Sequence, residues 1–62
     1  MFAITPLREK RLRAVLTLAD VAAKAGMSLT RASIIERDAT RAKGGELDRL
    51  SAAIDEIQER QA

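Results

Sequence analysis

The chain has 62 residues, no cysteine, no histidine, a single aromatic side chain (Phe2) and a net charge of +2. These numbers exclude a disulfide framework and the usual zinc-ligand spacings, and they leave the core to aliphatic side chains and alanines. One domain, residues 1–62, is all the length allows; a domain this small buries only about 60% of its unfolded surface, so pairing with a second chain is expected.

The opening "MFAI" is short and apolar, either a loose end or a strand that pairs across a dimer. In "MFAITPLREKR" the apolar part precedes the basic part, the reverse of a secretion signal. Thr5-Pro6 is a helix start, a capping hydroxyl followed by proline at the first helical position. The first helix is expected over about Pro6 to Val15, with Arg8, Lys10, Arg11 and Arg13 as a basic, ordinarily solvated face. Thr17 caps a second helix, whose Asp20 suits the positive end of the helix dipole. Val21, Ala22 and Ala25 form its inward stripe, and Gly26 fits the left-handed residue that stops it. Ser28 caps a third helix, with Met27, Ala32 and Ile35 at the inward positions.

"ERDATRAKGG" is a polar exit ending in a double glycine. The last helix is expected over residues 46–60, with Glu46 and Asp48 in its first turn. Leu47, Leu50, Ile54 and Ile57 recur at spacings 3, 4 and 3, the narrow seam of a pairing helix. Its first half is expected to pack inside and its second half to meet a partner, making these four the predicted dimer interface. The whole reads as an all-α domain of four short helices. No apolar run approaches the roughly 20 residues of a membrane span.

Charge is unevenly spread. Residues 1–45 hold nine Lys/Arg against four acids, a net +5, and residues 46–62 hold two against five, a net −3. A basic body with an acidic tail suits an anionic partner on one surface, although chance produces such a split in a short chain.

A helix-turn-helix needs a small residue where its two helices touch, glycine in the turn and apolar residues holding the outer helix. A twenty-residue unit over residues 18–37 meets each demand through Val21, Ala22, Ala25, Gly26, Met27, Ala32 and Ile35. The stretch "LTLADVAAKAGMSLTRASIIERD" resembles the XRE-like, lambda-repressor-like (Cro-type) helix-turn-helix family of phage, plasmid and bacterial transcriptional regulators. The resemblance covers about residues 5–55. It is densest from Thr17 to Asp38, and Leu47, Leu50 and Ile54 match the family's following helix.

That resemblance implies a lambda-repressor-like fold lacking the usual fifth helix, and a sequence-specific DNA-binding regulator, a repressor of phage, plasmid or integrative-element type. It would be a cytoplasmic homodimer, nucleoid-associated when bound to double-stranded DNA at an inverted-repeat operator. The third helix would enter the major groove, presenting Ser28, Leu29, Thr30, Ser33 and Ile34, with Arg31 at the edge. Arg37 and the second helix's N-terminus near Thr17 fall at phosphate-contact places, and Arg41 and Lys43 add candidate phosphate contacts from the exit loop. Arg11 matches an arginine that pairs with Glu36 and ties the first helix to the third.

The chain departs from the family pattern at Leu18, often glutamine, at Leu29 and Ile34, usually polar readers, and at Lys10, commonly apolar. Leu18, Leu29 and Ile34 suit thymine methyl groups. Alternatively they form a patch for a protein partner, as in an anti-activator or antitoxin-like module, or they pack locally. No enzyme, cofactor or metal is expected. Ser28, Ser33 and Ser51 have no histidine to activate them, and "AKGGEL" lacks the end of a phosphate-binding loop.

Overall fold

The structure, a computed structural model, describes residues 5–61. The N-terminal "MFAI", a candidate dimer strand, lies outside the described residues. Four α-helices follow in order: α1 (Pro6–Arg13), α2 (Leu18–Ala25), α3 (Leu29–Arg37) and α4 (Glu46–Gln61), with a short 3-10 turn at Ala39–Arg41 between the last two. The all-α expectation holds, and the described residues contain no strand. None of these helices is long and apolar enough to cross a membrane.

Three hydroxyls start the first three helices, each doing the same work. Thr5, Thr17 and Ser28 sit in extended backbone, and each side-chain oxygen accepts the N–H three residues on, from Arg8, Asp20 and Arg31. The distances are 3.2, 3.1 and 3.1 Å. Each satisfies one of the orphan donors of a helix start, worth about 1 kcal/mol.

The helix ends differ more than the starts. α2 stops at Gly26, with φ +69° and the Met27 N–H reaching back to the Ala22 carbonyl at 2.9 Å. A Cβ there would meet no atom closer than 3.6 Å, so glycine is needed for the backbone conformation and not for space. α1 stops by the same geometry with the wrong residue for it. The Leu16 N–H bonds the Arg11 carbonyl and the Val15 N–H bonds the Leu12 carbonyl, which puts Val15 at φ +57°. The first helix therefore ends at Arg13, two residues before the expected Val15. A β-branched side chain in this region is rare and costs about 1–2 kcal/mol.

The core is one cluster drawn from every α-helix: Leu7, Leu16, Val21, Ala22, Ala32, Ile35, Leu50, Ala53 and Ile54. Ala22 and Ala32 are buried on α2 and α3, where small side chains let helices approach. α4 is the backbone of the cluster and packs on both α1 and α2. Leu50 and Ile54 are fully buried within the single chain. This corrects the expected dimer seam, because the two middle residues of Leu47–Leu50–Ile54–Ile57 have no surface left to offer a partner. Leu47 and Ile57 pack partly against the same core. The 3, 4, 3 spacing marks a buried stripe of α4, and such a stripe serves an intramolecular core as well as a coiled-coil seam.

Two stability changes follow. Leu50→Ala should cost about 2–5 kcal/mol, seen as a large drop in the urea midpoint followed by circular dichroism; a midpoint within error of wild type would contradict this packing. Val15→Gly should raise that midpoint, because relief of about 1–2 kcal/mol of left-handed strain exceeds the roughly 0.4–1 kcal/mol of added unfolded-chain freedom.

Candidate nucleic-acid interface

α3 is fixed in place by its inner face. Ala32, Ile35 and Glu36 are buried. Arg11 of α1 holds the Glu36 carboxylate with two hydrogen bonds, Nε to Oε2 and Nη2 to Oε1, both 2.7 Å. The expected Arg11–Glu36 tie is thus present, with only 13% and 7% of the two side chains exposed. The hydrogen bonds to Glu36 also raise the Arg11 guanidinium above its ordinary pKa. The Thr5 hydroxyl donates to the Glu36 carbonyl at 2.6 Å, satisfying one of the free acceptors at the end of α3.

What this leaves outside is a continuous stripe. At 3.6 residues per turn, Leu29, Ser33, Arg37, Thr30 and Ile34 fall within an arc of about 140°, opposite Ala32 and Ile35. Leu29 is 53% exposed; Thr30 and Arg37 are exposed, and Ser33 and Ile34 half-buried. Arg37 lies in the middle of the arc, and its Nη2 donates to the Ser33 hydroxyl at 3.1 Å, laying the guanidinium along the helix. Ser28 and Thr17 are exposed at the N-termini of α3 and α2. Their oxygens serve as caps, and their O–H groups point to no partner within the described residues.

Two of the expected contact residues are placed otherwise. Leu18 is partly buried and packs against the core, so the apolar trio Leu18, Leu29 and Ile34 is not a shared exposed patch; Leu29 is its one well-exposed member. Arg31 turns away from the stripe, toward the start of α4. Its Nε donates to Glu46 Oε2 at 3.0 Å, and its Nη2 to Glu46 Oε1 and to the Arg41 carbonyl, both at 2.7 Å. This network is legible in retrospect only as an acidic residue in the first turn of α4. Arg31 and Glu46 are 15 residues apart, and no helical periodicity relates them.

The exit loop after α3 adds cations. Asp38 ends α3 and caps the 3-10 turn, accepting from the Thr40 N–H at 3.1 Å and its hydroxyl at 2.6 Å. Those bonds to Thr40 hold the Asp38 carboxyl below its usual pKa. Arg41 is largely exposed and only loosely paired with Asp38, at 3.6 Å. Lys43 is exposed. With Arg37, these make three exposed cations within seven residues of sequence.

The departure at Lys10 has a direct cause. Its amine bonds the Ser51 hydroxyl and pairs with Asp55, each at 2.8 Å, so it fastens α1 to α4 with polar groups where an apolar contact was expected. The open depression beside it, about 270 Å³ and lined by Pro6, Leu7, Ala39, Leu47 and Asp48, is therefore bordered by an amine that is already satisfied. Among the described residues no three acidic side chains converge as metal ligands would. No protein-family model, curated protein or solved structure matches the chain.

The hydrogen bonds from Arg31 and from the Lys43 N–H pull the Glu46 carboxyl down from 4.5 to about 2. A depressed carboxyl stabilises the fold above its unfolded pKa and loses that contribution as pH falls through the folded value. The stability difference between wild type and Glu46→Gln should therefore be constant above pH 4.5 and vanish as pH approaches 2. A Glu46 side-chain NMR titration with a midpoint near 4.5 would show that the pair does not form.

Proposed function

We propose that the chain is a sequence-specific DNA-binding transcriptional regulator, a repressor that binds an inverted-repeat operator as a homodimer with α3 in the major groove. The observation that carries this reading is the outer stripe of α3. Its short polar side chains and one exposed leucine surround a central arginine, on a helix whose inner face is clamped by a buried ion pair.

An α-helix fits the major groove, and side chains near its N-terminus reach base edges there. Ser28, Thr30 and Ser33 offer hydroxyls to bases or to backbone oxygens, and Leu29 and Ile34 offer apolar surface to thymine methyls. Arg37, Arg41 and Lys43 supply positive charge for phosphates, and the N-terminus of α2 at Thr17 offers unpaired N–H groups. Arg31 drops out of the reading set, because Glu46 already occupies its guanidinium.

A protein-interaction module using the Leu18/Leu29/Ile34 face is the competing reading. Leu18 packs partly against the core, and Leu29 is the one well-exposed member of that face, which favours the DNA reading over it. The homodimer belongs to the proposal because an inverted repeat needs a two-fold reader, with half-sites about 34 Å apart. The Leu50–Ile54 stripe is not its interface, since both residues are internal.

Arg37→Ala should weaken binding to all duplex sequences alike and reduce the slope of log K against log salt by about 0.9. Thr30→Ala or Ser33→Ala should instead change which sequences are preferred. Fluorescence anisotropy across a salt series, with the DNA upstream of the protein's own gene and an unrelated duplex, measures both. A folded Arg37→Ala protein that binds as tightly as wild type would sink the docking arrangement.

A further inference from the structure

The Arg31–Glu46 pair does more than join α3 to α4. Its two members grip the backbone of two particular residues in the exit loop. Arg31 Nη2 donates to the carbonyl of Arg41 at 2.7 Å, and Glu46 Oε1 accepts the N–H of Lys43 at 2.8 Å. Those residues carry the loop's two exposed cations. The loop's other ties are local: Ala42 packs partly on the core, its N–H bonds the Ala39 carbonyl at 3.1 Å, and the Glu46 N–H bonds the Lys43 carbonyl at 3.0 Å. Gly44 and Gly45 both have left-handed backbone, at φ +53° and +79°, and a Cβ built on either meets nothing within 4 Å. Asp38 caps the 3-10 turn through Thr40, but that bond acts upstream of Arg41.

We propose that the Arg31–Glu46 pair is a positioning device for a second phosphate-binding element, the Arg41/Lys43 loop that follows α3 and its Arg37. The inference rests on the duplex-DNA reading given above. Arg31 and Glu46 are positioning residues and do not touch DNA themselves. The physical logic is preorganisation. A cation held where a phosphate will sit loses less freedom on binding than one on a mobile loop. The fork of an arginine suits this role, because its N–H groups reach a carboxylate and a backbone carbonyl together.

The sign of one mutation separates positioning from plain charge. Glu46→Ala removes a negative charge, so uniform electrostatics would tighten binding to polyanionic DNA. Loss of positioning weakens it. The experiment uses the full chain and a labelled duplex of about 20 base pairs, two helical turns, titrated between about 50 and 200 mM salt. Wild type is compared with Glu46→Ala, Arg31→Gln, Arg37→Ala and the double variant Arg41→Ala/Lys43→Ala. In parallel, trypsin digestion of the free proteins reads cleavage after Arg41 and Lys43.

The double variant should lower the salt slope by about 1.8, two phosphate contacts' worth. Glu46→Ala and Arg31→Gln should each weaken binding several-fold, lower the slope in the same direction, and speed tryptic cleavage at the loop. Tighter or unchanged binding by Glu46→Ala, with the wild-type slope, overturns the proposal. Unchanged cleavage in both variants also overturns it. If wild type fails to bind the duplex at all, the DNA reading fails and the proposal fails with it, while faster loop cleavage would still show the pair's grip on the loop. If Arg37→Ala weakens binding but the pair variants do not, the DNA reading survives and the positioning role alone is lost.

Discussion

One guanidinium organises this domain. Arg11 gives two hydrogen bonds to the Glu36 carboxylate and a third, from Nη1, to the Leu16 carbonyl at 2.7 Å. The first two fix α3 against α1. The third fixes the turn between α1 and α2. That turn holds Val15 at a positive φ, with its side chain 88% exposed and so without packing to compensate. A strained residue persists where its neighbours over-determine the backbone, and here those neighbours are the buried Leu16 side chain and the Arg11 bond to its carbonyl. A buried pair is costly to break one-sidedly, about 3–5 kcal/mol, because a desolvated charge is left behind. Together with the buried Ala32 and Ile35, this contact sets the orientation of α3.

Elsewhere the chain makes up for a thin core with polar ties between helices. With Phe2 its one aromatic, the described core is built from leucine, isoleucine, valine and alanine. Several of the helix pairs have a polar tie at their margin. Lys10 joins α1 to α4 through Ser51 and Asp55. Arg49 joins α4 to the end of α2, donating to the free Ala25 carbonyl at 2.7 Å. Arg31 joins α3 to the start of α4. No buried side-chain nitrogen or oxygen among the described residues is left without a partner, which is what makes so many polar ties affordable in so small a protein.

These ties also sort the cations. Arg11, Arg31, Lys10 and Arg49 are tied into the structure, whereas Arg37, Arg41 and Lys43 remain exposed within seven residues of sequence; Arg8 and Arg13 are exposed on α1. Composition alone cannot make this division. A net charge of +5 over residues 1–45 counts all the cations equally, but a guanidinium already bonded to a carboxylate contributes little attraction to an outside anion. The cations left for an outside anion are fewer than the sequence suggests, and Arg37, Arg41 and Lys43 among them lie on or just after the helix whose stripe carries the proposed function.

Local chemistry determined the elements. Thr5, Thr17 and Ser28 had to cap, Gly26 had to turn left-handed, and the stripes at Val21, Ala22, Ala32 and Ile35 had to face inward, because each of these depends on neighbours within one helical turn. The Arg11–Glu36 tie was legible through a family resemblance and not through spacing, since the two lie 25 residues apart. What only the tertiary structure decided was the use of each remaining side chain. The spacing of Leu47, Leu50, Ile54 and Ile57 is the same whether the stripe meets its own core or a second chain, and the packing of α1 and α2 on α4 sent Leu50 and Ile54 inward. Arg31 and Leu18 read as surface contacts until the fold brought Glu46 to one and the core to the other. Periodicity fixes which side of a helix is apolar, whereas the partner on that side is set by contacts between residues far apart in the chain.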